Sequence, residues 1–162
     1  MSEDETLETD REIRLARPED STAVRSCVRA AYAQYVSWIG REPAPMSADY
    51  VELISRGLVY VLQAPSDEDV LGVLVLRAGA NVLWIENVAV HPQHQRRGYG
   101  RRLMQFAEHE ARAAGFGELR LYTNELMVEN ISIYTHLGYV EFDRRLDDGF
   151  LRVFMRKELA PS

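Results

Sequence analysis

Several things are scarce in this chain. Cys27 is its only cysteine, so no internal disulfide can form, and a reducing compartment fits. Lys157 is the only lysine among 19 cations, so the positive charge is almost all arginine. No apolar run is long enough to span a bilayer, and none follows the N-terminus as a secretory signal would. A cytoplasmic location and no membrane partner are therefore expected. There is no internal repeat and no low-complexity linker. His91 and His94 have H-x-x-H spacing, but no further ligand cluster accompanies them, so no metal site is expected.

What is present reads as one globular domain. The 162 residues are 46% hydrophobic and 27% charged, enough for a real core. The net charge of −6 is concentrated at one end: residues 1–12 hold six acids against Arg11. Residues 1–11 therefore read as a disordered acidic tail, and 12–159 as the domain. The remainder is nearly neutral and lacks the broad basic excess of a nucleic-acid binder. Cys27 lies among Val24, Val28 and Ala31 at helical spacing, which predicts core packing rather than a nucleophile.

Strand and helix patterns alternate along the chain. A short strand starts at Glu12 and stops by Pro18. A helix is expected over 21–36, capped by Asp20 or Ser21. After the Pro-containing loop 40–46, a short helix is expected with Ser47 as its cap and Gly57 past its end. Strands are expected at 58–64, 70–78 and 82–90, with a turn at 65–69 and a hairpin turn through Gly79-Ala80-Asn81. A helix from Gly98 to Ala114 carries Leu103, Phe106, Ala107, Ala111 and Ala114 on one face. A strand at 118–123, a helix at 130–138 and two strands around Asp147-Asp148-Gly149 complete the pattern. The fold class is α/β: a mixed sheet with helices on both faces.

One stretch carries the chemistry. "HPQHQRRGYGRR" sits between an apolar strand and an amphipathic helix, with Arg96, Arg97, Arg101 and Arg102 around the helix start. Cations are unfavourable there unless an anion joins them. A strand running into a glycine-rich turn presents successive backbone N–H groups to phosphate. A P-loop would need Gly-Lys-Ser/Thr, and a dinucleotide fold a third glycine; neither is present. What remains is Gln-x-x-Gly-x-Gly, formed by Gln95, Arg96, Arg97, Gly98, Tyr99 and Gly100. It resembles the pyrophosphate loop of the GNAT superfamily of acetyl-CoA-dependent N-acetyltransferases. "ENVAV" before it and "IYTHLGY" after it are similar to further elements of that family. The order of elements from 12 to 159 looks like its whole domain.

The resemblance implies a GNAT-type sheet whose central strands, 82–90 and 118–123, splay apart around pantetheine. It implies acetyl-CoA as co-substrate. Backbone groups of Val88, Ala89 and Val90 would meet pantetheine, and the Val90 N–H would polarise the thioester carbonyl. Backbone N–H groups from Gln95 to Arg101 would hold pyrophosphate. Many members carry Asn-x-x-Ala-x-x-x-Tyr where this chain has Met127-x-x-Asn130-x-x-x-Tyr134. Asn130 is expected to meet pantetheine from one turn later, with Asn124 as a competitor.

Two residues stand out as catalytic candidates. Glu86 interrupts the apolar strand "VLWIENVAV", and a carboxylate there needs a partner, water or a function. It shares a face with Trp84, Val88 and Val90 and resembles a glutamate of spermidine/spermine acetyltransferases. The functional reading is a general base acting directly or through water; the alternative is a structural partner for an arginine. Tyr134 matches the family tyrosine that protonates the departing thiolate; the alternative is packing. The acceptor pocket implied by the resemblance involves Tyr32, Tyr35, Trp38, Glu42, Asp49 and Tyr50, with Tyr122 opposite. Tyr32, Tyr35 and Trp38 also fit a core stripe. The combined expectation is an acetyl-CoA-dependent N-acetyltransferase, transferring acetyl directly to a primary amine of a small molecule or peptide. A non-catalytic acyl-CoA sensor of the same fold stays open, as does a homodimer.

Overall fold

In the computed structural model, which describes residues 12–63 and 69–160, the alternating segments become seven strands. These are β1 (Glu12–Leu15), β2 (Val59–Gln63), β3 (Val70–Ala78), β4 (Val82–Val90), β5 (Glu118–Asn124), β6 (Val140–Asp147) and β7 (Phe150–Glu158). They form one sheet of order β1-β2-β3-β4-β5-β7-β6. β1–β2, β2–β3, β5–β7 and β6–β7 pair antiparallel, whereas β4 and β5 pair parallel. The sheet is therefore mixed, as expected. The helices are α1 (Ser21–Tyr32), α2 (Val36–Ile39), α3 (Tyr50–Ser55), α4 (Tyr99–Ala113) and α5 (Val128–His136). The acidic tail at 1–11 and most of the turn expected at 65–69 lie outside the described residues.

Three expected helix boundaries move. The helix read over 21–36 tightens into a 3-10 turn at Ala33–Tyr35 before α2 begins. Tyr32, Tyr35 and Val36 lie at that point, and such side chains lose rotamer freedom in a helix. Ser47 does not cap α3. It belongs to a Pro-initiated 3-10 turn, Ala44–Ser47, and Asp49 caps instead, accepting from the Glu52 N–H at 3.2 Å. Asp20 makes no side-chain cap to α1; its carboxylate is taken by Arg14 at 2.8 and 3.1 Å and by the Arg17 N–H at 2.7 Å. α5 starts at Val128, so Asn130 is its third residue rather than its first.

The backbone divides into two compact units, one drawn from Met1–Val75 and Asn87–Phe106, the other from Leu76–Glu86 and Ala107–Ser162. In the first, the helix periodicity of α1 lays Val24, Cys27, Val28 and Ala31 against Val59, Val61, Val73 and Val75 of β2 and β3. Cys27 is 2% exposed, and burial pushes its thiol up to about 12, so it is core as expected. The other face of the same strands meets α4. Tyr60 stacks on Phe106 at 5.0 Å, and a Cβ at Gly72 would lie 2.9 Å from Leu103 Cδ1 and 3.2 Å from the Ala89 carbonyl. Gly72 is thus small because helix and strand approach over it. In this unit the helices do cover both faces of the sheet.

In the second unit, Leu119, Leu121, Val153 and Met155 form the buried face of β5 and β7. Lys157, on the same face, reaches Glu108 of α4 at 2.7 Å. The opposite face carries Trp84, Arg120, Tyr122, Arg152, Phe154 and Arg156, in cross-strand register. Asn81 takes φ +59° in the turn after Gly79, whose N–H reaches the Val82 carbonyl at 2.8 Å, giving the tight connection expected there.

Candidate active site

The parallel ladder between β4 and β5 pairs Val82–Ile85 with Glu118–Leu121. β4 then continues to Val90 and β5 to Asn124. Along that continuation Val88 and Val90 are half-buried and Ala89 is buried. Immediately after Val90 the chain turns through a 3-10 turn at Pro92–His94, and α4 starts at Tyr99. The His91 N–H bonds the Leu71 carbonyl at 2.9 Å, which pins the strand end to β3. Gln95 Nε2 donates to the Val90 carbonyl at 3.1 Å. Gln95 was expected to act through its backbone; its side chain also ties the loop to the strand.

The loop's backbone has two residues in the left-handed region, Arg96 at φ +67° and Gly98 at +83°. For a non-glycine such as Arg96 that conformation costs roughly 1–2 kcal/mol. A Cβ on Gly98 would meet nothing within 4 Å, and one on Gly100 would meet only Val90 Cγ2 at 3.8 Å. The loop surface is therefore open where the glycines stand. Arg96, Arg97 and Arg101 are exposed, Arg102 is half-buried, and Tyr99 is 4% exposed. Open backbone, a helix N-terminus and exposed guanidinium groups suit a pyrophosphate. The Arg102 N–H bonds back to the Gly98 carbonyl at 3.0 Å, tying the loop to the first turn of α4.

Asn87, not among the candidates that the sequence offers, is 6% exposed on β4. Tyr32 donates to its Oδ1 at 2.8 Å, and its Nδ2 donates to the Tyr50 hydroxyl at 3.2 Å. Tyr50 in turn donates to the Pro45 carbonyl at 2.5 Å, and burial pushes its phenol upward. One amide thus fastens the end of α1 and the start of α3 to β4. Tyr32 and Tyr50 were expected near the acceptor, and they converge on Asn87. Tyr35 is buried, whereas Trp38 is 60% exposed, so the proposed core stripe ends at Tyr35. The 3-10 turn rotates Trp38 off the buried face. Trp38 still packs edge-on to Tyr35 at 5.4 Å. Glu42 is held by Arg29 at 2.9 Å.

In the second unit, Glu86 has partners on both oxygens. Arg77 Nε reaches Oε1 at 2.5 Å, and the Tyr122 hydroxyl donates to Oε2 at 3.1 Å. The Glu86 side chain is 21% exposed. Tyr122 is pushed up to about 12, first by burial and then by the Glu86 charge. The neutral phenol is therefore the donor. Arg152 stacks over the Tyr122 ring at 4.4 Å. Tyr134 is 8% exposed on α5, edge-on to Tyr139 at 6.2 Å. Asn130 is half-buried. Asn124, its competitor, accepts from the Leu126 N–H at 2.9 Å and shapes the turn after β5. His91 accepts from the Gln93 N–H, and His94 lies 3.4 Å from Arg97. Among the described residues no group of three or more His, Cys, Asp or Glu could hold a metal ion, and no helix is long and apolar enough to cross a membrane.

Similarity to known proteins agrees with this architecture. PaiA N-acetyltransferase from Thermoplasma acidophilum, solved with coenzyme A, superimposes with a TM-score of 0.78 at 21% identity, over 92% of this chain and 99% of that one. The ribosomal-protein-S18-alanine N-acetyltransferase from Escherichia coli gives 0.74 at 20%, over 94% and 96%. An IAA acetyltransferase from Bacillus cereus gives 0.67 at 21%, over 92% and 99%. At such identities the likeness is one of fold. The family model described as Acetyltransferase (GNAT) family matches residues 25–139. That match spans most of the chain, and the chain belongs to the GNAT family of acetyl-CoA-dependent acetyltransferases.

Proposed function

We propose that the protein is an N-acetyltransferase that moves the acetyl group of acetyl-CoA to a primary amine of a small molecule or peptide. The observation that carries this reading is the setting of Glu86. It is a half-buried carboxylate with a fixed direction, on the strand that leads into the glycine loop. One donor occupies each oxygen, yet an ionised carboxylate offers about four lone-pair sites. Acceptor capacity is left for an ammonium proton or a water.

An amine with a pKa of about 10.4 is mostly protonated at neutral pH and must lose a proton to attack. Glu86 takes that proton, directly or through water. The amine nitrogen bonds the acetyl carbon, the C–S bond breaks, and the Tyr134 phenol protonates the leaving thiolate; the nitrogen then sheds its second proton to become the amide, and that proton restores the phenol through solvent. The Val90 N–H polarises the carbonyl. The loop Gln95–Arg101 holds the pyrophosphate, and Val88, Ala89 and Asn130 meet pantetheine. Transfer is direct, because Cys27 is buried and its thiol is pushed up to about 12.

A second reading, an acyl-CoA sensor without turnover, draws on the Arg77–Glu86 pair, which gives the carboxylate a structural role. An acetyl-CoA consumption screen over amino acids, polyamines, aminoglycosides and peptide N-termini separates the two. Thiol release that requires an amine, with a product stable to hydroxylamine as an amide is, supports transfer. Coenzyme A binding without turnover across the panel supports the sensor.

A further inference from the structure

Arg152 has more donors than partners. Its side chain is 9% exposed. Nη1 donates to Asp147 Oδ2 at 2.7 Å, and the flat guanidinium lies over Tyr122 at 4.4 Å and Phe150 at 5.5 Å. A guanidinium carries five N–H donors, and among the described residues that of Arg152 makes no other hydrogen bond. Buried donors of a charged group are costly when unmet. Asp147 is 47% exposed and compensates from the rim.

The ladder supplies a second, independent observation. Arg145 of β6 stands directly opposite Arg152 of β7. Like charges facing each other across a strand pair repel. Arg145 leans to Asp143 and lies over Phe154 at 4.1 Å. The same cross-strand row continues to Asn124 on β5. An anion seated on Arg152 would meet its spare donors and relieve the repulsion.

Tyr122 connects this group to the proposed base. Its ring lies under Arg152 and its hydroxyl reaches Glu86 Oε2. One side chain therefore separates a buried positive group from a partly buried negative one. A zwitterion has the complementary charges, an ammonium for Glu86 and a carboxylate for Arg152. Guanidinium and carboxylate also match as a two-pronged pair.

We infer that Arg152 binds the carboxylate of the acceptor, which makes the acceptor an aminocarboxylate with amine and carboxylate a few bonds apart. This rests on the transfer reading of Glu86. Arg152 orients the substrate, and Tyr122 spaces its two ends.

The test uses matched pairs: amino acids and the same amines without the carboxylate, with their N-acetyl forms. Binding of the N-acetyl forms is measured by calorimetry, and turnover of the free amines by thiol release. The variants are Arg152→Lys and the double variant Arg152→Met/Asp147→Asn, which leaves no uncompensated charge. Arg156→Gln on the same face is the control. Wild type is expected to bind the carboxylated member of at least one pair roughly tenfold to a hundredfold more tightly, the range of a hydrogen bond to a charged group. The double variant loses that preference and keeps its coenzyme A-induced thermal shift; the control keeps both. If the double variant fails to fold, Arg152→Lys is read instead, and loss of most of the preference is expected because the fork is gone. No carboxylate preference in any wild-type pair overturns the inference, as does a preference that survives in a folded Arg152 variant. Amines acetylated without carboxylate preference leave the transfer reading standing and sink this one. A carboxylate preference that depends on Arg152, with no amine acetylated, does the reverse.

Discussion

The Tyr122 hydroxyl donates to Glu86 Oε2 at 3.1 Å, while Arg77 Nε holds Oε1 at 2.5 Å. Two donors on two oxygens fix the plane of the carboxylate. Tyr122 stays protonated well beyond neutral pH, since burial and the Glu86 charge push its phenol to about 12. The phenol therefore remains the donor to Glu86 at neutral pH.

Gly100 is the position at which the loop is most simply blocked. A Cβ there meets only Val90 Cγ2 at 3.8 Å, so the fold tolerates a side chain. Gly100→Glu places negative charge at the start of α4. Coenzyme A should raise the thermal midpoint of wild type, because it binds only the folded loop, and the shift should vanish in the folded variant. A retained shift would contradict the assigned loop.

Tyr134→Phe keeps the ring that packs on Tyr139 and removes the hydroxyl, and with it the proton to be donated. General acids contribute typically about 10²–10⁴-fold, so kcat should fall by that order with little change in acetyl-CoA affinity. Loss of coenzyme A binding at normal kcat would make Tyr134 a binding residue.

Asn87→Ala removes the amide that bonds the Tyr32 and Tyr50 hydroxyls, while Tyr50 keeps the Pro45 carbonyl. Each lost hydrogen bond costs about 0.5–1.5 kcal/mol, so the pair costs about 1–3 kcal/mol. Urea denaturation should show a loss of that size with an unchanged m-value. A neutral substitution would mean that water replaces the amide.

Much of this was legible locally. The glycine loop announces itself because strand, turn and helix signals are contiguous from Val82 to Ala113. Glu86 stands out as a charge in an apolar strand. Asn87 carries the same signal one position later, a polar residue in an apolar strand, masked by the stronger charge beside it. Arg77 and Arg152 could not be matched to Glu86 and Tyr122, because those contacts depend on strand register and order. The break after Tyr32 has no glycine or proline to mark it, and that break turns Trp38 outward. Ser47 and Asp49 are both sound cap residues two positions apart. The two prolines of the preceding turn decide for Asp49 by drawing Ser47 into the 3-10 turn.

Asp20 predicts a pH dependence of stability. Its hydrogen bonds to Arg14, and then to the Arg17 N–H, hold its carboxyl below the usual value. A depressed folded pKa stabilises above the unfolded value, about 3.9, and the gain is lost as pH falls through the folded value. Asp20→Asn should thus be less stable than wild type at pH 7, with the gap closing below about pH 4. Urea midpoints at pH 7, 5 and 3 measure it; a gap that stays constant would contradict the ion pair.

In the proposed mechanism Glu86 frees the acceptor amine for attack, and the pH profile of Glu86→Gln tests that role. With an acceptor amine identified by the screen, kcat/KM is measured for wild type and variant from neutral pH to the range where the amine loses its own proton. The expected deficit is largest near neutral pH and shrinks as pH rises, because a free amine needs no base. Parallel profiles, with the deficit constant across the range, would contradict it and leave Glu86 as the structural partner of Arg77.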